Sequence, residues 1–128
     1  MRKIIVTTPV SHLPGAIELL ETKGDIILEE TINKKDLRKI LLEKDLDTIV
    51  CNPNQQTYKI DKELLEGTNI KTINTCSTGL NHIDVNYCND LNIEIQHHKN
   101  DLKLLNQLPS TSELAFGLML SLLRRIPQ

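Results

Sequence analysis

The sequence predicts a doubly wound α/β fold in which helices flank a five-stranded parallel sheet. Five short runs of β-branched and other apolar residues alternate with four segments whose apolar residues recur at helical spacing. The strand runs are continuously apolar, which is typical of strands buried on both faces of a parallel sheet. The chain has 128 residues, 39% of them hydrophobic, so it is long enough to bury one domain core.

The five predicted strands are the short apolar runs that interrupt the polar sequence. They span residues 4–6, 26–28, 48–51, 70–73 and 93–95. In a parallel sheet the carboxyl ends of the strands meet at one edge, and ligands bind in the loops beyond that edge. The loops that follow these strands are therefore the candidate positions for a functional site.

The first predicted helix follows strand 1 and the turn TTPVSHLPG. Leu13, Ile17 and Leu20 recur at the spacing of one helix face, which predicts that they pack against the sheet. Gly24 marks the predicted end of this helix, because glycine is common just after a helix C-terminus.

Polar capping residues begin the other three predicted helices. Asn33, Asp61 and Asp84 each precede a segment of helical spacing, and their side chains can accept hydrogen bonds from the first turn of a helix. The third helix is expected to end near Gly67. The residues predicted to face the core are Leu37, Ile40 and Leu41 in the second helix and Val85, Cys88 and Leu91 in the fourth.

A different pattern follows strand 5. Residues 99–110 form a predicted loop with scattered leucines, and Ser110 to Glu113 match a capping box for a helix over residues 111–125. That helix is apolar around nearly its whole circumference, which predicts burial on all sides, and Pro127 would end it. The expected organisation is a domain over residues 1–98, the loop 99–110, and a helix that extends to residue 126.

Composition excludes several classes of function. The net charge is −2, the pI is about 6.1 and 2% of the residues are aromatic, so neither a basic patch nor a stacking surface for nucleic acid is present. The longest nearly apolar run, residues 114–123, falls short of the roughly 20 residues that cross a bilayer. Three cysteines at irregular spacing are typical of free thiols in a reducing cytosol, which predicts a cytoplasmic protein.

The segment CSTGLNHID after strand 4 is the strongest candidate for a binding site. Small hydroxyl residues and Gly79 lie between a strand and a helix capped by Asp84. Backbone N–H groups near Thr78 and Gly79 can therefore face an anion. Ser77 and Asn81 add a hydroxyl and an amide to the same loop. The alternative interpretation is an ordinary turn.

The remaining polar residues form no catalytic or metal-binding pattern. Adjacent His97 and His98 in a strand would point to opposite faces, and no H-E-x-x-H or Cys/His ligand spacing occurs, so no metal is expected. No G-x-S-x-G, G-x-G-x-x-G or P-loop motif occurs either. We interpret His82 as structural, Cys76 as a small packing residue and Glu113 as a capping carboxylate.

Two stretches of the sequence carry a family resemblance. INTCSTGLNHIDVNYCNDLNIEI and STSELAFGLMLSLLRRIP resemble the N-terminal substrate domain of the NAD-dependent D-isomer-specific 2-hydroxyacid dehydrogenases, the D-3-phosphoglycerate dehydrogenase group. The specific part is the combination of S-x-G-x-N-x-I-D with a later S-T-x-E-L helix. The resemblance is sharp over residues 70–127 and diffuse over residues 1–60.

The resemblance implies a flavodoxin-like substrate domain, followed by a helix that leads into a second, NAD-binding domain. It matches the loop 77–81 to the loop whose backbone amides hold the substrate carboxylate. It also places Thr111 and Glu113 as cofactor contacts on the linker helix. The implied substrate is a small 2-hydroxy or 2-keto carboxylate.

The sequence also departs from the family pattern. The family's glycine-rich loop and its catalytic arginine, acid and histidine lie in the second domain and have no counterpart in these 128 residues, and neither does the segment that returns to the first domain. Asn52, Pro53 and Asn54 stand where many members carry an arginine for a substrate phosphate, which argues against a phosphorylated substrate. This chain alone is therefore expected to bind no NAD and to be inactive, as part of a truncated or split enzyme.

The sequence leaves two functions open. One is the substrate-binding part of an NAD-dependent oxidoreductase that acts on the CH–OH group of small D-2-hydroxy acids. The other is a stand-alone module that binds a small carboxylate without catalysis. A receiver domain needs an acidic pair after strand 1 and an aspartate at the end of strand 3, and it is excluded because these places hold Thr7-Thr8 and Cys51-Asn52. An FMN domain usually stacks its flavin ring on aromatic side chains, which this chain almost lacks. An uncovered apolar helix 111–125 further predicts a homo-oligomer, either a symmetric dimer or a helix exchange between protomers.

Overall fold

A computed structural model describes residues 1–53 and 57–126 of the chain. The strands are β1 (Arg2–Val6), β2 (Gly24–Leu28), β3 (Thr48–Cys51), β4 (Thr72–Thr75) and β5 (Glu94–Gln96). The helices are α1 (Ala16–Glu21), α2 (Lys34–Glu43), α3 (Lys62–Leu65), α4 (Val85–Asp90), α5 (Leu102–Leu105) and α6 (Ser110–Arg124). Strands and helices alternate through β5, and the short helix α5 lies within the segment predicted as a loop.

The five strands form one parallel sheet in the order β2-β1-β3-β4-β5. This is the strand order of flavodoxin-like sheets, so the predicted fold class is confirmed. One isoleucine from each strand stands in register with its neighbours across the whole sheet. This isoleucine row consists of Ile27, Ile5, Ile49, Ile73 and Ile95.

The two faces of the sheet pack against different helices. Residues 1–97 form one compact unit, which contains the sheet and helices α1 to α4, and residues 98–128 form a second one. In the first unit, the face with the isoleucine row belongs to the larger core, together with Leu37, Leu41, Leu64, Leu65 and Cys88 from α2, α3 and α4. The opposite face contributes a smaller cluster of Ile4, Val6, Val10 and Val50, against which Ile17 and Leu20 of α1 pack.

The three helix caps predicted from the sequence are confirmed. The side chains of Asn33, Asp61 and Asp84 each accept a hydrogen bond from the backbone N–H three residues later, over 2.9, 3.2 and 3.2 Å. Gly67, just after α3, has a left-handed backbone with φ of 80°, a conformation that glycine adopts without a steric penalty.

Several predicted boundaries in the first unit are wrong. Gly24 is the first residue of β2 rather than the end of α1. A Cβ at Gly24 would collide with the carbonyl oxygen of Arg2, so the close pairing of β1 and β2 requires glycine there. Leu13 precedes α1 and Leu91 follows α4, and both are exposed because each lies just outside the helix whose buried face it was predicted to share.

The last two strands begin later than predicted. β4 starts at Thr72, so the buried Ile70 precedes it, and β5 starts at Glu94. β5 ends at Gln96, so the two adjacent histidines follow this strand, as they follow the predicted strand 93–95. Periodicity identifies an apolar run correctly but does not determine which of its residues pair with a neighbouring strand.

Helix α6 differs from its prediction in its start and in its burial. Pro109 is the N-cap residue, with helical φ of −76° and ψ of −5°, so Ser110 lies inside the helix and the predicted capping box with Glu113 does not form. None of the described side chains of α6 is buried, contrary to the expected burial on all sides. Pro127 lies outside the described residues. Across the described residues, no helix has both the length and the apolar character needed to cross a membrane.

Candidate functional site

The loop between β4 and α4 lies at the carboxyl edge of the sheet and is held at both ends. At its start, the N–H of Cys76 donates to the carbonyl of Cys51 over 3.0 Å, which continues the pairing of β4 with β3. At its end, the N–H of Ile60 donates to the carbonyl of His82 over 2.8 Å, and the N–H of Asp84 donates to the carbonyl of Ile60 over 2.8 Å. Backbone hydrogen bonds therefore hold both ends of the loop.

Five consecutive backbone N–H groups in this loop have no acceptor within the described part of the chain. They belong to Thr78, Gly79, Leu80, Asn81 and His82. The N–H groups on either side of this run do donate to backbone carbonyls. Unpaired N–H groups carry partial positive charge, and successive ones beyond a strand end can form an anion-binding concavity. The loop therefore has the donors that a carboxylate needs.

Gly79 lies exposed in the middle of this run of free N–H groups. Its φ lies outside the left-handed region, and a Cβ built on it would have no atom within 4 Å. The fold therefore does not require glycine here, in contrast to Gly24. The absent side chain leaves an open approach to the neighbouring N–H groups.

Side-chain hydrogen bonds connect the strand to the loop. The Thr75 hydroxyl lies 2.8 Å from the Ser77 hydroxyl and 2.8 Å from Nε2 of His82. The Ser77 hydroxyl donates to the carbonyl of Gly79 over 2.8 Å. Thr75 is fully buried and His82 is 8% exposed, so the part of this network that lies against the sheet is shielded from water. The network fixes Ser77 and Gly79 relative to β4.

The buried cysteine beside His82 is not a nucleophile. Sγ of Cys51 lies 3.8 Å from Nε2 of His82, which resembles the pairing of a catalytic cysteine with its base. Burial raises the pKa of Cys51 to about 12 and lowers the pKa of His82, so both groups are neutral near pH 7. Cys51 is also fully buried, and a substrate cannot reach its sulfur.

A second loop at the same edge of the sheet, after β1, is held by Glu30. One carboxylate oxygen of Glu30 accepts from the N–H of Val10 over 2.7 Å and from the N–H and hydroxyl of Ser11 over 2.8 Å each. These hydrogen bonds, the one from Val10 first, lower the pKa of Glu30. The contact joins residues about twenty positions apart, so local sequence carried no signal for it.

Four residues predicted to bind substrate lie together in the β4–α4 loop. They are Ser77, which is half-buried, and Thr78, Gly79 and Asn81, which are exposed. The predicted cofactor contacts, Thr111 and Glu113, lie in the first turns of α6 in the second compact unit. Asn54, which argued against a substrate phosphate, lies outside the described residues. Cys76 is exposed rather than packed, because it follows the last residue of β4.

Thr75 was not predicted to belong to the site. It occupies the face of β4 that carries Ile73, and that face is otherwise apolar. A hydroxyl residue on a buried strand face indicates a buried hydrogen bond. The sequence therefore contained a signal for Thr75, although it did not identify His82 as the partner.

The described loops do not fit a dinucleotide or a metal ion. The loop from β1 to α1 contains a single glycine, Gly15, and the helix behind it has six residues, whereas dinucleotide loops place several glycines before their helix. Among the residues that the structure describes, no group of three His, Cys, Asp or Glu side chains is placed to hold a metal. No chemical step is therefore assigned to a cofactor within this chain.

The family follows from a comparison with known proteins. The model of the catalytic domain of the D-isomer specific 2-hydroxyacid dehydrogenases matches residues 4–103. The chain belongs to this family. Its residues 78–82, with their free N–H groups, lie inside the matched range.

Individual relatives agree with this family assignment. A D-3-phosphoglycerate dehydrogenase of Methanocaldococcus jannaschii is 29% identical in an alignment of 129 positions that covers 100% of this chain and 22% of the relative. A glyoxylate reductase of Thermofilum pendens is 30% identical in an alignment of 127 positions that covers 97% of this chain and 34% of the relative. The chain therefore spans about a third or less of the length of either relative.

A solved structure shows the same fold. The D-lactate dehydrogenase of Aquifex aeolicus, complexed with NAD and lactic acid, matches with a TM-score of 0.67 at 22% identity. The match covers 98% of this chain and 34% of that one.

Proposed function

We propose that the chain is the substrate-binding part of an NAD-dependent oxidoreductase that acts on the CH–OH group of small D-2-hydroxy acids. Membership of the family supports the reaction class, since residues 4–103 match its catalytic domain. The run of unpaired N–H groups from Thr78 to His82 supports the mode of binding and is the observation that carries the proposal. In this proposal the loop 77–81 holds the carboxylate of a 2-hydroxy or 2-keto acid.

The four predicted binding residues have different roles in this proposal. The N–H groups of Thr78 and Gly79 donate to the carboxylate, and hydrogen bonds to a charged acceptor are stronger than neutral ones. The exposed Asn81 side chain has no hydrogen-bond partner within the described residues, so its amide is free to donate as well. The Ser77 hydroxyl is already donated to Gly79, so Ser77 orders the loop rather than touching the ligand.

Substitution of Gly79 tests the binding site without damaging the fold. Pyruvate titrated into the isotope-labelled chain should shift the amide signals of residues 78–82. Gly79→Val should abolish these shifts by filling the approach, and Gly79→Ala should weaken binding less. Both variants should unfold at the wild-type temperature, because a Cβ at Gly79 has no atom within 4 Å. Shifts that map to another region, or that persist in Gly79→Val, would contradict this site.

A stand-alone carboxylate-binding module is the alternative, because the run of free N–H groups from Thr78 to His82 needs no cofactor to bind an anion. Hydride transfer needs a nicotinamide and a proton donor within reach of the reacting oxygen. The 128-residue chain is therefore expected to show no oxidation of NADH with pyruvate, glyoxylate or hydroxypyruvate. An in-frame G-x-G-x-x-G in the DNA beyond codon 128 would favour the enzyme over the module.

We also propose that the chain self-associates through α6. Burying a large apolar side chain stabilises a complex by roughly 1.5–3 kcal/mol, so covering several of them favours association despite its entropic cost. The exposed apolar side chains of α6 are Leu114, Phe116, Leu118, Met119, Leu120, Leu122 and Leu123. Leu122 and Leu123 are 77% and 73% exposed, the largest exposed fractions in this set.

Sedimentation at micromolar concentration tests the association. The wild type should sediment as a dimer or larger species, and Leu122→Glu should shift it to the monomer. Leu42→Glu is the matched control, because Leu42 is an exposed leucine on α2 in the first unit. A wild-type monomer, or equal effects of the two substitutions, would refute the role of α6.

We place the protein in the cytosol. Cys51, Cys76 and Cys88 are all free, and unpaired cysteines are typical of reducing compartments. Fractionation of cells that express the native protein tests this location, and recovery from an oxidising compartment would contradict it.

A further inference from the structure

A series of hydrogen bonds connects His82 to Gly79 through Thr75 and Ser77, and the carbonyl of Gly79 at its end sets the direction of every bond in it. The carbonyl oxygen of Gly79 can only accept, so Ser77 gives its hydroxyl hydrogen to it. The Ser77 oxygen must then accept from Thr75, whose hydroxyl hydrogen is used in that bond. The Thr75 oxygen in turn must accept from Nε2 of His82, so Nε2 carries a hydrogen.

The second ring nitrogen of His82 leads independently to the same tautomer. Nδ1 is buried and has no hydrogen-bond partner among the described residues. Buried N–H groups without an acceptor are rarer in proteins than under-satisfied acceptors, because the unmet N–H keeps its full desolvation cost. A neutral imidazole carries one hydrogen, and placing it on Nε2 leaves only a lone pair unmet at Nδ1.

This directed series of hydrogen bonds sets the orientation of one peptide group in the candidate site. The peptide bond between Gly79 and Leu80 is trans, so its N–H points opposite to its carbonyl. Since the carbonyl faces the Ser77 hydroxyl, the N–H of Leu80 is directed away from Ser77. That N–H is one of the five without an acceptor in the described part of the chain.

We infer that His82, as the Nε2–H tautomer, is a positioning residue that turns the N–H of Leu80 toward the bound carboxylate. It acts through Thr75 and Ser77, which hold the Gly79–Leu80 peptide and do not touch the ligand. The inference rests on the proposed function for the identity of the ligand. The ring tautomer and the peptide orientation are properties of the unliganded chain and can be measured without it.

Thr75→Val removes the hydroxyl at the centre of this series of hydrogen bonds and changes the shape of the side chain little. Thr72→Val is the matched control, because Thr72 is a buried threonine in the same strand on the opposite face. Its hydroxyl makes no hydrogen bond within the described residues. Thr75→Ser restores the hydroxyl and should behave as the wild type.

Nuclear magnetic resonance of the unliganded chain tests the positioning device. The His82 ring should show the Nε2–H tautomer in the wild type, Thr72→Val and Thr75→Ser. Thr75→Val should lose this single-tautomer signature and shift the amide signals of Gly79 and Leu80. An Nδ1–H ring in the wild type would overturn the inference. So would Gly79 and Leu80 signals that move no more in Thr75→Val than in Thr72→Val.

Titration with pyruvate then tests the link to binding. Thr75→Val should weaken pyruvate binding by roughly 2- to 10-fold, the range expected for the net contribution of one hydrogen bond, and Thr72→Val should leave it unchanged. Equal binding by Thr75→Val and Thr72→Val would overturn the positioning role. A wild type that binds no pyruvate would overturn the proposed function, while the ring and amide signals still decide whether His82 orders the loop.

Discussion

In the first compact unit, the central isoleucines of the sheet, Ile5, Ile49 and Ile73, are fully buried by side chains of the same chain. In α6 the leucines are just as apolar, yet none of its described side chains is buried. The two regions show that apolar patterning predicts which surface needs cover but not what supplies it. The free energy of folding in the first unit comes from its own core, whereas the stability of α6 depends on whatever covers it.

Truncating one apolar side chain in each region should separate the two sources of stability. Ile73→Ala removes a fully buried side chain and should lower the free energy of unfolding by about 2–5 kcal/mol. Leu123→Ala removes an exposed one and should change it by about 0.5 kcal/mol or less. Urea denaturation of both variants at low protein concentration checks this. Losses of similar size would show that α6 is part of the folding unit.

Glycine substitutions should act in opposite directions in the two regions. Gly24→Ala should lower the free energy of unfolding by about 1–3 kcal/mol, because its Cβ meets the backbone of Arg2. Gly117→Ala should add helix content and stabilise α6 by about 0.5–1 kcal/mol, because its Cβ meets no atom and alanine is the better helix former. Circular dichroism during thermal unfolding measures both. A neutral Gly24→Ala would contradict the close strand pairing.

Helix caps should matter in α2 and not in α6. Asn33→Ala removes a side chain that accepts from the first turn of α2 and should cost about 0.5–2 kcal/mol. Ser110→Ala should have little effect, because Ser110 lies inside α6 and no side chain caps this helix. Denaturant midpoints of the two variants provide the comparison. A large loss of stability in Ser110→Ala would show that the predicted capping box does form.

The pH dependence of stability should include a contribution from His82 in the first unit. Burial lowers its pKa from the ordinary 6.5, so the unfolded chain binds this proton more readily than the folded chain. The stabilising contribution is therefore complete above pH 6.5 and is lost as the pH falls below it toward the folded-state pKa. His82→Gln should flatten this part of the urea midpoint profile. A wild-type profile that is already flat below that pH would contradict it.

Local signals in the sequence determined the elements that the structure confirms. The caps at Asn33, Asp61 and Asp84 were predictable because each bond spans three residues. The capping box at Ser110 failed because the preceding Pro109 already has helical dihedrals and moves the helix start by one residue. A motif match does not reveal the backbone conformation of the residue before it.

The candidate site was predictable in position but not in detail. The loop around Gly79 could be placed because a polar segment with one glycine follows an apolar strand run. The bond of Thr75 to His82 and the contact of Cys51 with His82 could not, because they depend on how β3, β4 and the loop meet in space. The expected burial of α6 was wrong for a similar reason, since the spacing of its apolar residues does not show whether any other part of the structure packs against them.

The isoleucine row also fixes the register of β4 against β3, and therefore the position of the loop that follows β4. If β4 slipped by one residue against β3, its side chains would exchange faces, and Asn74 would enter the row in place of Ile73. The slip would also move the start of the β4–α4 loop along the strand by about 3.3 Å, more than the length of a hydrogen bond. Thr75, Ser77 and His82 could then no longer form their chain of bonds. Side chains in the middle of the sheet thus set the alignment of donor groups at its edge, so a substitution such as Ile73→Asn could misalign the loop without touching it.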